Sequence, residues 1–116
     1  MPISTKRVYD PGDPGDGFRL LAMRLWPRGI RKDHVSDWEK ELGPSRELLD
    51  AYRKESVDWA TFKKKYHAEM RGKKDLLRTW ALRARDEQIT LLCSCENPDR
   101  CHRTLLKALL EKLAKQ

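Results

Sequence analysis

The sequence predicts an α/β fold: one domain, residues 1–116, with a small, at least partly parallel sheet flanked by helices. Two apolar runs of strand length, Phe18 to Trp26 and Gln88 to Cys95, are separated by a long stretch with helical periodicity. The second run passes through a short loop into a closing amphipathic helix, and strand, loop and helix in succession are the unit from which parallel sheets are built. At 116 residues, 39% hydrophobic and 37% charged, the chain has apolar material for one core under a charged surface.

Taken in order, Ile3 to Asp10 carries Thr, Val and Tyr and reads as extended. Pro11 to Gly17 holds only turn formers and reads as a loop. Phe18 to Trp26 is nearly all apolar and stops at Pro27, the pattern of a strand buried on both faces. Arg24 interrupts it, and a guanidinium there needs an ion-pair partner or a cleft. From Pro27 to Leu42 the pattern is mixed: a loop, then a short element around Asp37 to Leu42. Gly43-Pro44-Ser45 starts a helix to about Lys54 with Leu48, Leu49 and Tyr52 on one face. Asp58 caps the next helix, in which Trp59, Phe62, Tyr66 and Met70 recur at helical spacing up to Gly72. Lys73 to Arg85 forms a third helix on Leu76, Leu77, Trp80, Ala81 and Ala84. After the second core strand the last helix runs to near Lys115, with His102, Leu105, Leu106, Leu109, Leu110 and Leu113 on its buried side.

Composition narrows the partners. The chain has 25 Lys and Arg against 18 Asp and Glu, a net charge of +7, which favours anionic partners although the signs alternate along the helices. No stretch approaches the roughly 20 apolar residues of a membrane span, and Met1 to Asp10 lacks the apolar segment of a signal peptide. No membrane partner and a cytoplasmic location are therefore expected. The three cysteines, Cys93, Cys95 and Cys101, fall within nine residues, a spacing unlike a disulfide framework, so reduced thiols are expected.

Chemistry concentrates in Cys93 to Arg103. This stretch leaves the carboxyl end of a core strand and enters a helix, the place where open α/β sheets bind ligands. The helix start favours an anion, with Arg100 and Arg103 adding charge. Cys101, read in the first turn beside His102, is the candidate reactive thiolate if exposed, with Cys93 as the other candidate nucleophile. Zinc is weighed and set aside: Cys93 and Cys95 share one face of an extended strand with alpha carbons about 6.6 Å apart and parallel side chains, and Cys101 and His102, both placed in the helix, would diverge by roughly 100°. No metal and no cofactor are expected. A phosphatase-like Cys-x5-Arg loop is excluded by spacing, and Glu96 to Arg100 contains no Gly for a phosphate loop.

A second constellation, Arg24 to Lys32, carries four positive charges and no acid. Trp26 offers a stacking face, and Arg24 and Arg28 offer forked donors to phosphate or carboxylate. Arg24 is open to a second reading, an ion pair with Glu96 or Asp99.

Lys6 to Asp10, Arg24 to Ile30, Trp38, Pro44-Ser45 and Leu91 to Arg103 together resemble the DUF488 family, its small YeaO-like members, across nearly the whole chain. The pairing of Arg-Leu-Trp-Pro-Arg-Gly with Cys-His-Arg carries the resemblance. It implies the fold and the site location, with Cys93, Cys101, His102 and Arg103 as matching positions, and implies no reaction. Relatives often carry an acidic residue where this chain has Cys95.

The expected function is a polar pocket for an anionic small molecule or nucleotide-like group. Arg24, Arg28, Arg100 and Arg103 would hold the anion, His102 would move protons and Cys101 or Cys93 would attack. The rival is a nucleic-acid-binding or regulatory module, with weak duplex binding and Trp26 stacking on a base. What separates them is whether the basic residues converge in a concavity or spread over a face.

Overall fold

The computed structural model describes residues 3–94 and 100–115. Four strands, β1 (Ile3–Arg7), β2 (Phe18–Leu21), β3 (Asp37–Trp38) and β4 (Ile89–Cys93), form one sheet in the order β1-β4-β2-β3. Every pairing is parallel: Ile3 lies opposite Ile89, Phe18 opposite Ile89, and Leu20 opposite Asp37. The sheet is thus parallel throughout.

Four helices follow, α1 (Arg46–Arg53), α2 (Trp59–Arg71), α3 (Lys74–Ala84) and α4 (His102–Ala114). Two begin as the sequence reading expects: Ser45 accepts a hydrogen bond from the Leu48 N–H, and Asp58 accepts one from the Thr61 N–H. Among the described residues no helix is long and apolar enough to cross a membrane.

Alternation along the strands sends their side chains to two differently covered faces. Leu20, Ile89 and Leu91 meet the helices in the main core, with Tyr66, Met70, Leu106 and Leu110. Leu21 and Leu92 point the other way and pack with Val8 and Met23 under Trp26, Ile30 and Val35. Helices cover one face of the sheet, and the irregular segment after β2 covers the other.

The Pro11 to Gly17 run is more than a connection. Pro14–Asp16 forms a 3-10 turn closed by a capping box in which the Asp13 and Asp16 side chains each bond the other's end of the turn. The Asp16 carboxylate is buried, accepts from the Asp13 N–H at 3.1 Å, and pairs with Lys6 at 2.9 Å and with Arg19.

The first core strand is shorter than the apolar run implies. Ala22 still donates to the Leu92 carbonyl at 3.0 Å, but Arg24 turns aside to ion-pair with Glu41 and to donate from Nε to the Pro44 carbonyl at 3.1 Å. Among the described residues its partner is Glu41; Glu96 and Asp99, the partners the sequence suggests, lie outside them. Gly43 permits this junction: a Cβ there would lie 2.6 Å from the Arg24 backbone nitrogen.

Candidate functional site

The junction between β4 and β2 is a switch point. Beyond β4 the chain enters α4, which lies over β1 and β4, whereas beyond β2 it runs to β3 on the other side. Ligands of open parallel sheets sit in the crevice such divergence opens at the carboxyl ends of the strands. A cavity of about 250 Å³ occupies this place.

Cys93, Cys101 and His102 line its inner end, all buried. Cys93 is the last residue of β4 and faces the helices. Cys101 is the N-cap of α4 rather than a first-turn residue; its backbone is extended (φ −138°, ψ 139°), and its thiol turns back to 3.4 Å from the Cys93 sulfur. It is 1% exposed, so the exposed first-turn thiolate expected from the sequence is not what the fold builds. The objection to clustering, that Cys101 and His102 diverge around one helix, fails for the same reason. The donor atoms of Cys93, Cys101 and His102 all lie within 4.8 Å of one another.

His102 is fixed at both ring nitrogens. Nε2 contacts the Ala22 carbonyl oxygen, and Nδ1 lies 3.8 Å from the Cys93 sulfur. A carbonyl oxygen can only accept, so Nε2 carries the hydrogen, and in the neutral ring Nδ1 is the acceptor facing the thiol. The ring also packs 5.7 Å from Tyr66, whose hydroxyl donates to the Leu42 carbonyl at 2.7 Å. Burial is the first cause that holds the Tyr66 phenol well above its ordinary pKa, so it stays protonated.

Leu49 and Tyr52 from α1 and Phe62 from α2 form an apolar, aromatic wall, and Arg24, Arg53 and Arg100 bring positive charge. Arg53 and Arg100 are exposed and enter no ion pair among the described residues. The Arg24 hydrogen bond, followed by the charge of Lys73, holds the Glu41 carboxyl below its ordinary range, so Arg24 keeps its counter-ion. Arg53 escaped the sequence reading, although its spacing of four from Leu49 puts both on one helix face.

The other expected ligand residues lie elsewhere. Trp26 packs on the helix-free face, donating to the Ile30 carbonyl at 2.9 Å with its ring edge-on to Trp38. Arg28 is exposed and absent from the cavity wall. Arg103 is buried and donates from Nη1 to the Cys93 carbonyl at 3.4 Å, which ties α4 to β4. Cys95 lies outside the described residues.

The chain is thus a small α/β protein with a parallel sheet and a buried cluster of two thiols and an imidazole at its carboxyl edge. The family model DUF488-N3a, described as "Active DUF488-N3 subclade", matches residues 3–114, and the chain belongs to this family. It is 42% identical over 115 residues to the Escherichia coli (strain K12) protein named "Uncharacterized protein YeaO", covering 97% of this chain and 100% of that one. It is 34% identical over 110 residues to "Uncharacterized protein Rv3073c" of Mycobacterium tuberculosis (strain ATCC 25618 / H37Rv), with coverage of 93% and 92%. A Mycobacterium bovis protein, "Uncharacterized protein Mb3100c", gives the same figures. No solved structure matches the chain significantly.

Proposed function

We propose that the cavity binds a small anionic, nucleotide-like molecule and that Cys93 attacks it with His102 as base. The observation that carries this reading is the aligned series Cys93 Sγ, His102 Nδ1, His102 Nε2–H and Ala22 carbonyl, in which nucleophile, base and orienting group follow one another. In the step, the Cys93 proton passes to Nδ1 and the sulfur bonds to an electrophilic atom of the ligand. The leaving group takes the bonding electrons and recovers the proton from the imidazolium. Arg53 and Arg100 supply charge for the anion, and Tyr52 and Phe62 supply a face for a planar ring. The word "Active" in the family's description agrees with retained chemistry.

The test is iodoacetamide labelling of reduced, folded protein near neutral pH, read by mass spectrometry; tryptic cleavage after Arg100 separates Cys93 from Cys101. Cys93 is expected to label fastest, to slow by about 10²-fold in His102→Ala, and to be protected by nucleoside monophosphates in wild type but not in Arg53→Ala/Arg100→Ala. Labelling of Cys93 only upon unfolding would defeat the reading.

One observation favours a second reading. Arg71, Lys74, Arg78 and Lys112 line an open groove of about 590 Å³ between α2, α3 and α4, and none enters an ion pair among the described residues. Burial, then Lys63 and Arg71, hold the His67 imidazole there below its ordinary range. Such a groove suits phosphate backbones, and weak, salt-dependent duplex binding that vanishes in Lys74→Glu/Arg78→Glu is its expected signature. Binding unchanged in that variant excludes the groove.

A further inference from the structure

We propose that Cys93, Cys101 and His102 form a three-ligand site for a soft divalent cation of the zinc class, and that filling it silences the Cys93 thiol. The second half rests on the nucleophile reading above; metal binding itself does not.

The donor set is two sulfurs and one imidazole nitrogen, a combination that selects zinc-like ions over magnesium or calcium. With zinc–sulfur bonds of about 2.3 Å and zinc–nitrogen of about 2.0 Å, tetrahedral angles put the sulfurs about 3.8 Å apart and sulfur about 3.5 Å from nitrogen. The structure has 3.4 Å between the sulfurs and 3.8 Å from Cys93 Sγ to His102 Nδ1. The third pair, the Cys101 sulfur and the His102 ring, lies within 4.8 Å, so a movement of up to about an ångström, within reach of side-chain rotation, closes the site.

Two further features point the same way. The nitrogen left over after ligation, Nε2, already donates to the Ala22 carbonyl, the arrangement that orients metal-bound imidazoles. All three ligands also line the cavity, so the fourth position of a tetrahedral ion opens towards it rather than into packed protein. Charge balances: each thiol loses a proton, and the two thiolates neutralise the dication, which limits the cost of burying any of the three. Once both lone-pair donors are committed to the ion, Cys93 no longer has a free thiolate and His102 no longer has a basic nitrogen.

The experiment uses the full chain, stripped with chelator and kept reduced. Zinc is titrated in competition with a chromophoric chelator, and cobalt(II) serves as a spectroscopic probe. One equivalent is expected, with a thiolate-to-cobalt charge-transfer band, and at least about 10²-fold weaker binding in Cys101→Ser and in His102→Gln, each checked for folding by circular dichroism. No binding, no thiolate band, or affinity unchanged in both folded variants overturns the site. One equivalent of zinc should also abolish iodoacetamide labelling of Cys93, and chelator should restore it. Rapid labelling of metal-free Cys93 that zinc leaves untouched overturns the silencing proposal while the nucleophile reading survives. Tight zinc binding alongside a Cys93 that labels no faster than in His102→Ala leaves the metal site standing and overturns the nucleophile.

Discussion

Gly17→Ala is expected to remove a large part of the protein's stability, about 2–6 kcal/mol. Gly17 has φ 64° and ψ −129°, a conformation essentially closed to residues with a Cβ. Backbone strain alone costs about 1–3 kcal/mol. A Cβ would also lie 2.4 Å from the Gln88 carbonyl oxygen and 2.7 Å from the Gln88 Cβ. That carbonyl accepts the Phe18 N–H at 2.9 Å and starts the pairing of β2 with β4, so it cannot retreat without opening the ladder. Overpacking of this kind adds about 1–3 kcal/mol, and domains of this size have only about 5–15 kcal/mol in total. Urea denaturation followed by circular dichroism checks it; a variant within about 0.5 kcal/mol of wild type would show that the turn has another geometry.

Asp16→Asn is expected to cost about 3–5 kcal/mol, because it strips the counter-ion from a buried guanidinium. Arg19 is 9% exposed, pairs with no other carboxylate among the described residues, and otherwise donates from Nε to the His34 carbonyl at 2.9 Å. The substitution also changes the acid response. Burial raises the Asp16 pKa, but hydrogen bonds from Lys6, the Asp13 backbone and Arg19 outweigh it, and the folded value lies below the ordinary 3.8. A depressed carboxyl contributes stability that is complete above the unfolded pKa and disappears as pH falls through the folded one. Wild type should therefore lose stability progressively below about pH 5, and Asp16→Asn should lose less over the same interval. Parallel acid profiles for the two proteins would exclude Asp16 as a source of the acid sensitivity.

Both substitutions fall in Pro11 to Gly17, which the sequence presents as a string of turn formers. Turn residues reveal that the chain reverses; they do not reveal that a carboxylate at position 16 meets Lys6 and Arg19. By contrast, β4 and the helices were legible because their apolar residues repeat at the period of the element they form. The first core strand was read too long because the apolar run continues after Leu21, whereas its end is set by a contact with Glu41 that has no local signature. The two-residue β3 lies within the region read as a short element, since two residues are too few for a period. At the site, strand and helix start were legible, while the loop read from Glu96 to Arg100 lies outside the described residues but for Arg100; legible too was the grouping of Cys93, Cys101 and His102. Their convergence was not, because it depends on one backbone conformation at Cys101, and the cavity wall comes from α1 and α2, whose aromatics read as ordinary core. Trp26 and Arg28 adjoin the site in sequence but are carried to the other face or out to solvent by the turn after β2.

The strand order also dictates when this protein can fold. β1 and β2 never pair with each other; β1 pairs only with β4, and β2 pairs with β4 and with the two-residue β3, so the join between them is β4, the last strand made among the described residues. A nascent chain ending anywhere before Ile89 has no central strand, and only the two-residue pairing of β2 with β3 as sheet on which α1, α2 or α3 can dock. The bonds that close the structure, such as Ile3 opposite Ile89, span nearly the whole chain, so their loop-closure entropy is lost before any ladder forms in return. Assembly therefore waits until β4 and α4 have been made, and the thiol–imidazole cluster, whose members all lie beyond residue 92, comes into being in the same event as the sheet.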